Sequence, residues 1–521
     1  MAEYPIAALT ATKRTINHHI CPDVIRVFIV TLSAFLLLPS SAYCGTRPNI
    51  IFIMADDMGY GDVGCYNEES RIPTPNMDRL AMEGIRCTDA HSADSVCTPS
   101  RYGLLTGRYC WRTPLTRGVL FNYEPPLIEP GRMTLASLLK GKGYRTAISG
   151  KWHLGLGFTA KAGRTVDFDA PLPWLSGPLP DRVVSESIDF SIPVFGGPEE
   201  LGFDATFYTA GCSTDQEPFC FIENGRFRNM SEASYRNPEG SWRSGMAAPD
   251  WVNETVDVHA TEWALRFIEN THKAAPKQPF FLYLPLSSPH SPHVVADFAM
   301  GKSEAGVRGD MVWLVDWSVG EIMAQLDALG LSDNTLLVVT SDNGPLPGSL
   351  EPGAREGTAK MTNGHRAAGK LRGVKGRVWE GGHRVPFIAR WPDNIPSGEV
   401  SHQVFCFTDM LATFAALVGE DLPEGVSEDS FNQLPGLLGK AMQPRPAMVH
   451  HSSSAFALRH GKWKIVFGVG EKRVKSTVGK GYLFDLEADP FEINDLWKVR
   501  PELVEQLTEQ FRKIAETRRN R

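Results

Sequence analysis

The chain has 521 residues, 42% of them hydrophobic and 22% charged, enough for a large core and more than one domain. A formal net charge of −7 with no basic stripe argues against a nucleic-acid binder, so any cationic site must be local. The sequence contains no internal repeat and no long low-complexity stretch.

The first feature in chain order is a leader. Lys13, Arg14 and Arg26 precede an apolar run from Val27 to Leu38, followed by Pro39-Ser40-Ser41-Ala42-Tyr43-Cys44-Gly45. At about 12 residues the run is too short to span a bilayer and has the length of a signal-peptide core. Residues 1–44 are therefore expected to be cleaved after Cys44, with the protein exported (periplasmic or secreted) and without a stable membrane span. A lipid anchor at Cys44 is the alternative, opposed by bulky Tyr43 directly before it. Export permits disulfides among Cys65, Cys87, Cys97, Cys110, Cys212, Cys220 and Cys406. Setting Cys97 aside leaves an even number, and Cys212 with Cys220, bracketing a short loop with Pro218, is the expected pair.

Asn49 to Met54 is a continuous apolar run, expected as a central strand of a parallel sheet covered on both faces. A strand ending at Ile148 follows, then Phe158 to about Arg243, which is rich in Gly, Pro and charge and reads as an insertion on the sheet's active edge. Pro279 to Leu284 and Thr335 to Thr340 are two more buried strands, and apolar spacing predicts a helix from about Val312 to Leu329. Alternating strands and helices imply an α/β fold, a mostly parallel sheet flanked by helices, whose ligands gather at the carboxyl ends of strands. After Pro444-Arg445-Pro446, short strands at Phe456–Arg459, Trp463–Val466 and Tyr482–Leu486 precede a closing helix from Pro501 to Thr517. The expected division is 45–445 for the main domain and 446–521 for a smaller α+β domain.

Asp56-Asp57 and Asp342-Asn343 each follow a buried strand, so the two pairs are expected to meet at one sheet edge. Their hard oxygens suit calcium or magnesium and not zinc. Lys151 and His153 flank Trp152, and alternation along an extended loop turns both to the same side. Lys375 stands beside Gly376, which lets the backbone pass close to an anion while the ammonium acts on it as a point charge. Ser288-Pro289-His290-Ser291-Pro292 fixes a histidine between two prolines after a strand.

These segments, with Cys97-Thr98-Pro99-Ser100-Arg101 and Leu104-Leu105-Thr106-Gly107-Arg108, the Gly150–Gly155 block and Leu371 to Pro386, resemble the sulfatase family across nearly all of the mature chain. The resemblance implies an alkaline-phosphatase-like fold, a mixed and mostly parallel sheet, and hydrolysis of sulfate esters of a sulfated carbohydrate or an aryl sulfate. It implies that a formylglycine-generating enzyme oxidises Cys97 to formylglycine, whose hydrate attacks sulfur, and that Asp56, Asp57, Asp342, Asn343 and the modified Cys97 hold one Ca2+. By the same resemblance Arg101 holds the hydrate and its calcium neighbourhood, while Lys151, His290 and Lys375 bind sulfate oxygens. His290, ahead of Lys375, protonates the leaving alcohol, and His153 orients or deprotonates the hydrate. Thr98 and Ser100 are expected to be positional. Gly382-His383-Arg384, Gly364-His365-Arg366 and Trp111-Arg112-Thr113 are similar to sulfatases of amino-sugar glycans, including those that remove 6-O-sulfate from N-acetylgalactosamine. His293 lies outside the pattern, as a sugar contact or a solvent-exposed residue. Two competing readings are a phosphodiester or phosphonate-monoester hydrolase of the same superfamily and a catalytically silent glycan-binding protein. The second is opposed by the joint presence of Lys151, His153, His290 and Lys375.

Overall fold

In the computed structural model the run expected as a central strand forms β1 (Asn49–Ala55), buried at every position. The structure describes residues 47–164, 166, 182–346, 362–452, 455–468 and 481–517, so the expected leader and its cleavage site at Cys44 lie outside the described residues. Side chains of β1 alternate between two faces. Ile51, Ile53 and Ala55 join a core with Leu282, Leu284, Val312 and Ile322, while Phe52 meets the rings of Tyr283 and Phe387. A strand covered on both sides has no face for a polar residue, which accounts for the unbroken apolar run from Ile50 to Met54.

Nine further strands complete the sheet: β2 (Ile85–Cys87), β3 (Arg145–Lys151), β4 (Ala205–Thr209), β5 (Ile222–Glu223), β6 (Arg226–Phe227), β7 (Phe280–Pro285), β8 (Thr335–Ser341), β9 (Phe387–Arg390) and β10 (Glu399–Ser401). Their spatial order is β10-β2-β9-β8-β1-β7-β3-β4-β5-β6. Pairing is parallel from β8 through β1, β7 and β3 to β4. β9 runs antiparallel to β8 and β2, and β5 and β6 add antiparallel strands at the other edge. The segment expected as an insertion therefore contributes β4, β5 and β6 to the main sheet. Their strands are too short to show a period among the surrounding glycines and prolines; residues 165 and 167–181 of that segment lie outside the described residues.

Cys97–Thr106 forms α1, Val256–Ala274 forms α2 and Gly306–Ala328 forms α3. α3 begins ahead of the expected Val312. Its first turns carry buried Arg308 and Asp310, each with a fixed partner: Arg308 on Asp62, and Asp310 accepting from the Gly301 and Ser303 amides. Buried charges break the apolar period that marks a helix, so its start is not visible in hydrophobic spacing.

The chain closes with an antiparallel sheet of β11 (Met448–Ser452), β12 (Ala455–His460), β13 (Trp463–Phe467) and β14 (Gly481–Asp485). Helix α4 (Pro501–Glu516) sets Leu507, Phe511 and Ile514 into one core with Leu458, Ile465 and Phe467. No described helix is long and apolar enough to cross a membrane.

Candidate active site

Strand register builds the acidic half of the site. Ala55 pairs with Ser341 and Met54 with Pro285, so β1, β7 and β8 end at one level. The Asp342 amide donates to the Ala55 carbonyl and the Asp56 amide to that of Ser288, each at 3.0 Å. Asp57 adopts a left-handed backbone, φ 70°, which turns the chain out of the strand. One carboxylate oxygen from each of Asp56, Asp57 and Asp342 and the Cys97 sulfur all lie within 4.8 Å of one another. The two acidic pairs thus meet as the sequence suggests.

Cys97 is the first residue of α1, buried, with Sγ 3.4 Å from Asp56 Oδ1. Thr98 Oγ1 donates to the His153 carbonyl and Ser100 Oγ to that of Asp94, so both hold backbone. One turn along α1, Arg101 donates from Nε and Nη2 to Asp342 Oδ2 at 3.0 and 2.8 Å, and from Nη1 to the Lys151 carbonyl.

The cations stand around this cluster. Lys151 ends β3 instead of lying in a loop, and its fully buried ammonium contacts Asp56 Oδ2 and sits 3.2 Å from Cys212 Sγ. His153 has φ 57°, so the expected strand-like alternation is interrupted there. Its Nε2 faces the Leu120 carbonyl at 2.8 Å, and Nδ1 is buried without a partner. His290 Nδ1 bonds the Ser291 carbonyl, placing Nε2 3.3 Å from Cys212 Sγ and 3.8 Å from Asp57 Oδ2. Lys375 Nζ reaches Asp57 Oδ1 at 2.7 Å. The backbone at Gly376, φ 75°, turns so that its amide donates to Ser95. Cys97, Arg101, Lys151, His153, His290 and Lys375 therefore stand around the acidic cluster.

Burial alone raises the Asp56 carboxyl, but Lys151, His290 and Arg101 hold it well below the usual carboxylate range. Burial and the neighbouring Asp56 push Asp342 up to about 7 despite Arg101. Burial, with Lys375, pushes His290 down to about 4, and burial with Lys151 depresses His153. Burial and Asp56 push the Cys97 thiol well above its ordinary range. Three packed carboxylates, one of them pushed up by its neighbour, suit a divalent cation. Asn343 supports this: Nδ2 donates to Asp57 Oδ1 at 2.6 Å and to the Gly344 carbonyl, leaving buried Oδ1 without a partner. Three carboxylates and an orphaned amide oxygen are a hard donor set that fits calcium or magnesium.

The expected disulfide does not form, and every described cysteine is a free thiol. Cys212 turns toward Lys151 and His290, whereas Cys220 packs with Phe219, Met246 and Trp251. Two supporting residues escaped the sequence reading. Buried Asp257 accepts from the Ser287 and Ser288 amides at 2.7 Å, fixing the loop that carries His290. Arg308 donates to the Asp57 carbonyl and to both oxygens of Asp62. The single cationic side chain of α3 was the available signal for the latter. His365 also sits on Asp62, Arg112 on Asp429, and His383 in a buried cluster. His293 is not solvent-exposed: both ring nitrogens are buried and unpartnered, and burial pushes it down to about 4.

The sulfatase family model matches residues 48–420. The chain belongs to the sulfatase family. It is a sulfuric ester hydrolase with the alkaline-phosphatase-like fold. This sulfatase is 33% identical to the N-acetylgalactosamine-6-O-sulfatase of Bacteroides thetaiotaomicron over 507 residues, covering 89% of this chain and 92% of that one. It is 32% identical to Homo sapiens arylsulfatase A over 446 residues, covering 84% and 78% of the two chains. A solved structure of a Bacteroides thetaiotaomicron protein, from work on the metabolism of multiple glycosaminoglycans, is similar with a TM-score of 0.75 at 32% identity. It covers 90% of this sulfatase and 99% of that chain.

Proposed function

We propose that this sulfatase is exported and removes sulfate from a glycan, 6-O-sulfate on an amino sugar being the position taken, with formylglycine at position 97 and one calcium ion. The observation that carries the reading is the convergence of Cys97, Asp56, Asp57 and Asp342 within 4.8 Å, ringed by Lys151, His290 and Lys375. Similarity to an N-acetylgalactosamine-6-O-sulfatase supports the choice of substrate. Burial that raises the Cys97 thiol supports modification, because an un-ionised sulfur is a poor nucleophile.

When bound, calcium polarises the nucleophile and a sulfate oxygen, and formylglycine supplies an oxygen nucleophile that a thiol lacks. Asp56, Asp57, Asp342 and Asn343 Oδ1 would hold the cation. Arg101 keeps the Asp342 carboxylate turned toward it. Lys151 and Lys375, on opposite carboxylates of the cluster, present two ammonium groups to a sulfate and stabilise charge as the S–O bond breaks. His290, anchored by Nδ1–H on the Ser291 carbonyl, presents Nε2 to the leaving oxygen and delivers a proton there as the imidazolium, the form that the negative charge of a bound sulfate favours. His153, anchored through Nε2, offers Nδ1 as the acceptor for the proton of the nucleophile.

The test pairs peptide mass spectrometry of residue 97 with rates on nitrophenyl sulfate, phenyl phosphonate and a panel of sulfated monosaccharides. Activity is expected to follow the converted fraction after coexpression with a formylglycine-generating enzyme, to favour sulfate over phosphonate, and to vanish in Cys97→Ala. Full activity with Cys97 wholly unmodified overturns the proposal.

A further inference from the structure

Close to the sulfate-binding groups lies a largely buried ion pair between Asp215 and Arg243. The turn from Cys212 to Gln216 is fastened to the site at several points. Cys212 Sγ lies 3.2 Å from Lys151 Nζ and 3.3 Å from His290 Nε2. Gln216 accepts from the Cys212 amide and donates to the Leu120 carbonyl, the same oxygen that His153 Nε2 faces. Asp215, whose amide donates to the Cys212 carbonyl at 2.9 Å, is thereby held in the turn whose Cys212 sulfur touches His290, close enough to feel the charges of Lys151 and Lys375.

Asp215 is 7% exposed, and its Oδ2 pairs with Arg243 Nη1 at 3.2 Å. Its Oδ1 is buried and has no partner. Three other buried aspartates that pair with arginine use both oxygens, whereas Glu124 shares with Asp215 a buried oxygen that lacks a partner. Asp62 holds Arg308, His365 and the Gly59 amide; Asp409 holds Arg445 and the Cys406 and Phe431 amides; Asp429 holds Arg112 through both oxygens and the Tyr109 amide. A buried carboxylate oxygen left unmade costs free energy, and a donor arriving from outside would recover it. Arg243 is unlike those other arginines too: its side chain is 31% exposed, its guanidinium lies over the Phe121 ring at 5.8 Å, and it has N–H groups to spare. An acceptor beside a fork of donors matches a pyranose, which offers neighbouring hydroxyls.

We infer that Asp215 and Arg243 form the sugar subsite of this sulfatase, Asp215 Oδ1 accepting from one ring hydroxyl and Arg243 donating to its neighbour. The inference rests on the glycan reading above and adds to it which residues recognise the uncharged sugar. It also separates two substrate classes, because an aryl sulfate has no hydroxyl to engage the pair.

The experiment compares native enzyme, Asp215→Asn and Arg243→Gln on N-acetylgalactosamine-6-sulfate and on nitrophenyl sulfate, with inhibition of the aryl reaction by free N-acetylgalactosamine as a second readout. Losing one hydrogen bond to a charged group is expected to lower the sugar-to-aryl ratio of kcat/KM by about 10- to 100-fold, chiefly through KM, and to weaken sugar inhibition in step. Arg243, being partly exposed, supplies a variant that does not open the core. Equal losses on both substrates, or no loss, overturn the inference. Aryl sulfate turnover by native enzyme with neither sugar turnover nor sugar inhibition also overturns it while leaving the sulfatase assignment intact. Failure of native, fully converted enzyme on both substrates removes the proposed function and this inference together.

Discussion

Arg101 meets Asp342 through two hydrogen bonds to the same oxygen, Oδ2, and leaves Oδ1 to accept from the Asp57 amide at 3.3 Å. Both side chains are fully buried, so the guanidinium decides how the carboxylate at the end of β8 is aimed. Arg101→Ala leaves that carboxylate unpaired in the core, and a loss of about 3–5 kcal/mol of unfolding free energy is expected, together with activity. Arg101→Lys restores charge without the fork, so part of the stability returns and little of the rate. Urea midpoints and turnover on nitrophenyl sulfate check this; an unchanged midpoint in Arg101→Ala refutes it.

Removing the divalent cation is expected to lower both melting temperature and rate. A ligand that binds only the folded protein stabilises it, by about 2.7 kcal/mol at 100 times its Kd. Asn343→Ala removes the one unpartnered oxygen of the donor set and should raise the calcium concentration needed to restore the melting temperature of chelated enzyme. If exhaustive chelation leaves melting and rate untouched, the acidic cluster is purely structural.

His290 and Lys375 can be separated by leaving group. Replacing the residue that protonates the leaving oxygen hurts a sugar alcohol far more than nitrophenol, which departs unaided. His290→Ala is therefore expected to show a much larger loss of kcat/KM on the sugar sulfate, and Lys375→Ala similar losses on both, since stabilising sulfate charge does not depend on the leaving group. Equal losses for His290→Ala move the proton to Lys375.

Away from the site, His91, His383 and His450 pack together in the core at β11, with His383 and His450 stacked at ring centroids 3.5 Å apart and His91 tilted against both. Lys464 stands 3.1 Å from His383 Nε2 and 2.8 Å from carboxylate oxygens of both Glu380 and Glu492. Burial depresses all three histidines, so each takes up a proton in the unfolded chain before it does in the folded one. A folded value below the unfolded one of about 6.5 means that their stability is fully present above that pH and lost as pH falls below it. A histidine held neutral in the fold while the unfolded chain is protonated contributes a limiting slope of about 1.4 kcal/mol per pH unit, approached by His383 and His450, which are depressed the most. Other shifted groups titrate in the same window, so urea unfolding at pH 7.5 and 5.5 isolates this contribution as a difference between native enzyme and a variant. His450→Leu, which removes two unpartnered ring nitrogens, should cut the slope by about 1.4 kcal/mol per pH unit, and an unaltered slope contradicts the assignment.

β1, β7 and β8 were legible in the sequence because a strand buried on both faces needs an unbroken apolar run, and that requirement is local. The same holds for the acidic pairs, since a residue that follows such a strand lies at its carboxyl end wherever the strand sits. The grouping of Cys97, Lys151, His290 and Lys375 was readable for a different reason: each lies in a short motif whose neighbours repeat a family pattern. Other features depended on directions and distances that no local pattern carries. Cys212 and Cys220 are eight positions apart yet leave the backbone toward a cationic pocket and an apolar cluster, and only the packed fold decides which way each points. Arg308 reaches Asp62 across 246 positions, and Arg101 reaches Asp342 across 241. β4, β5 and β6 became part of the sheet because a free edge was available beside β3, not because their own residues show a period. Strand burial is set by residues along one segment, whereas the orientation of a buried charge is set by whatever partner the folded chain brings to it.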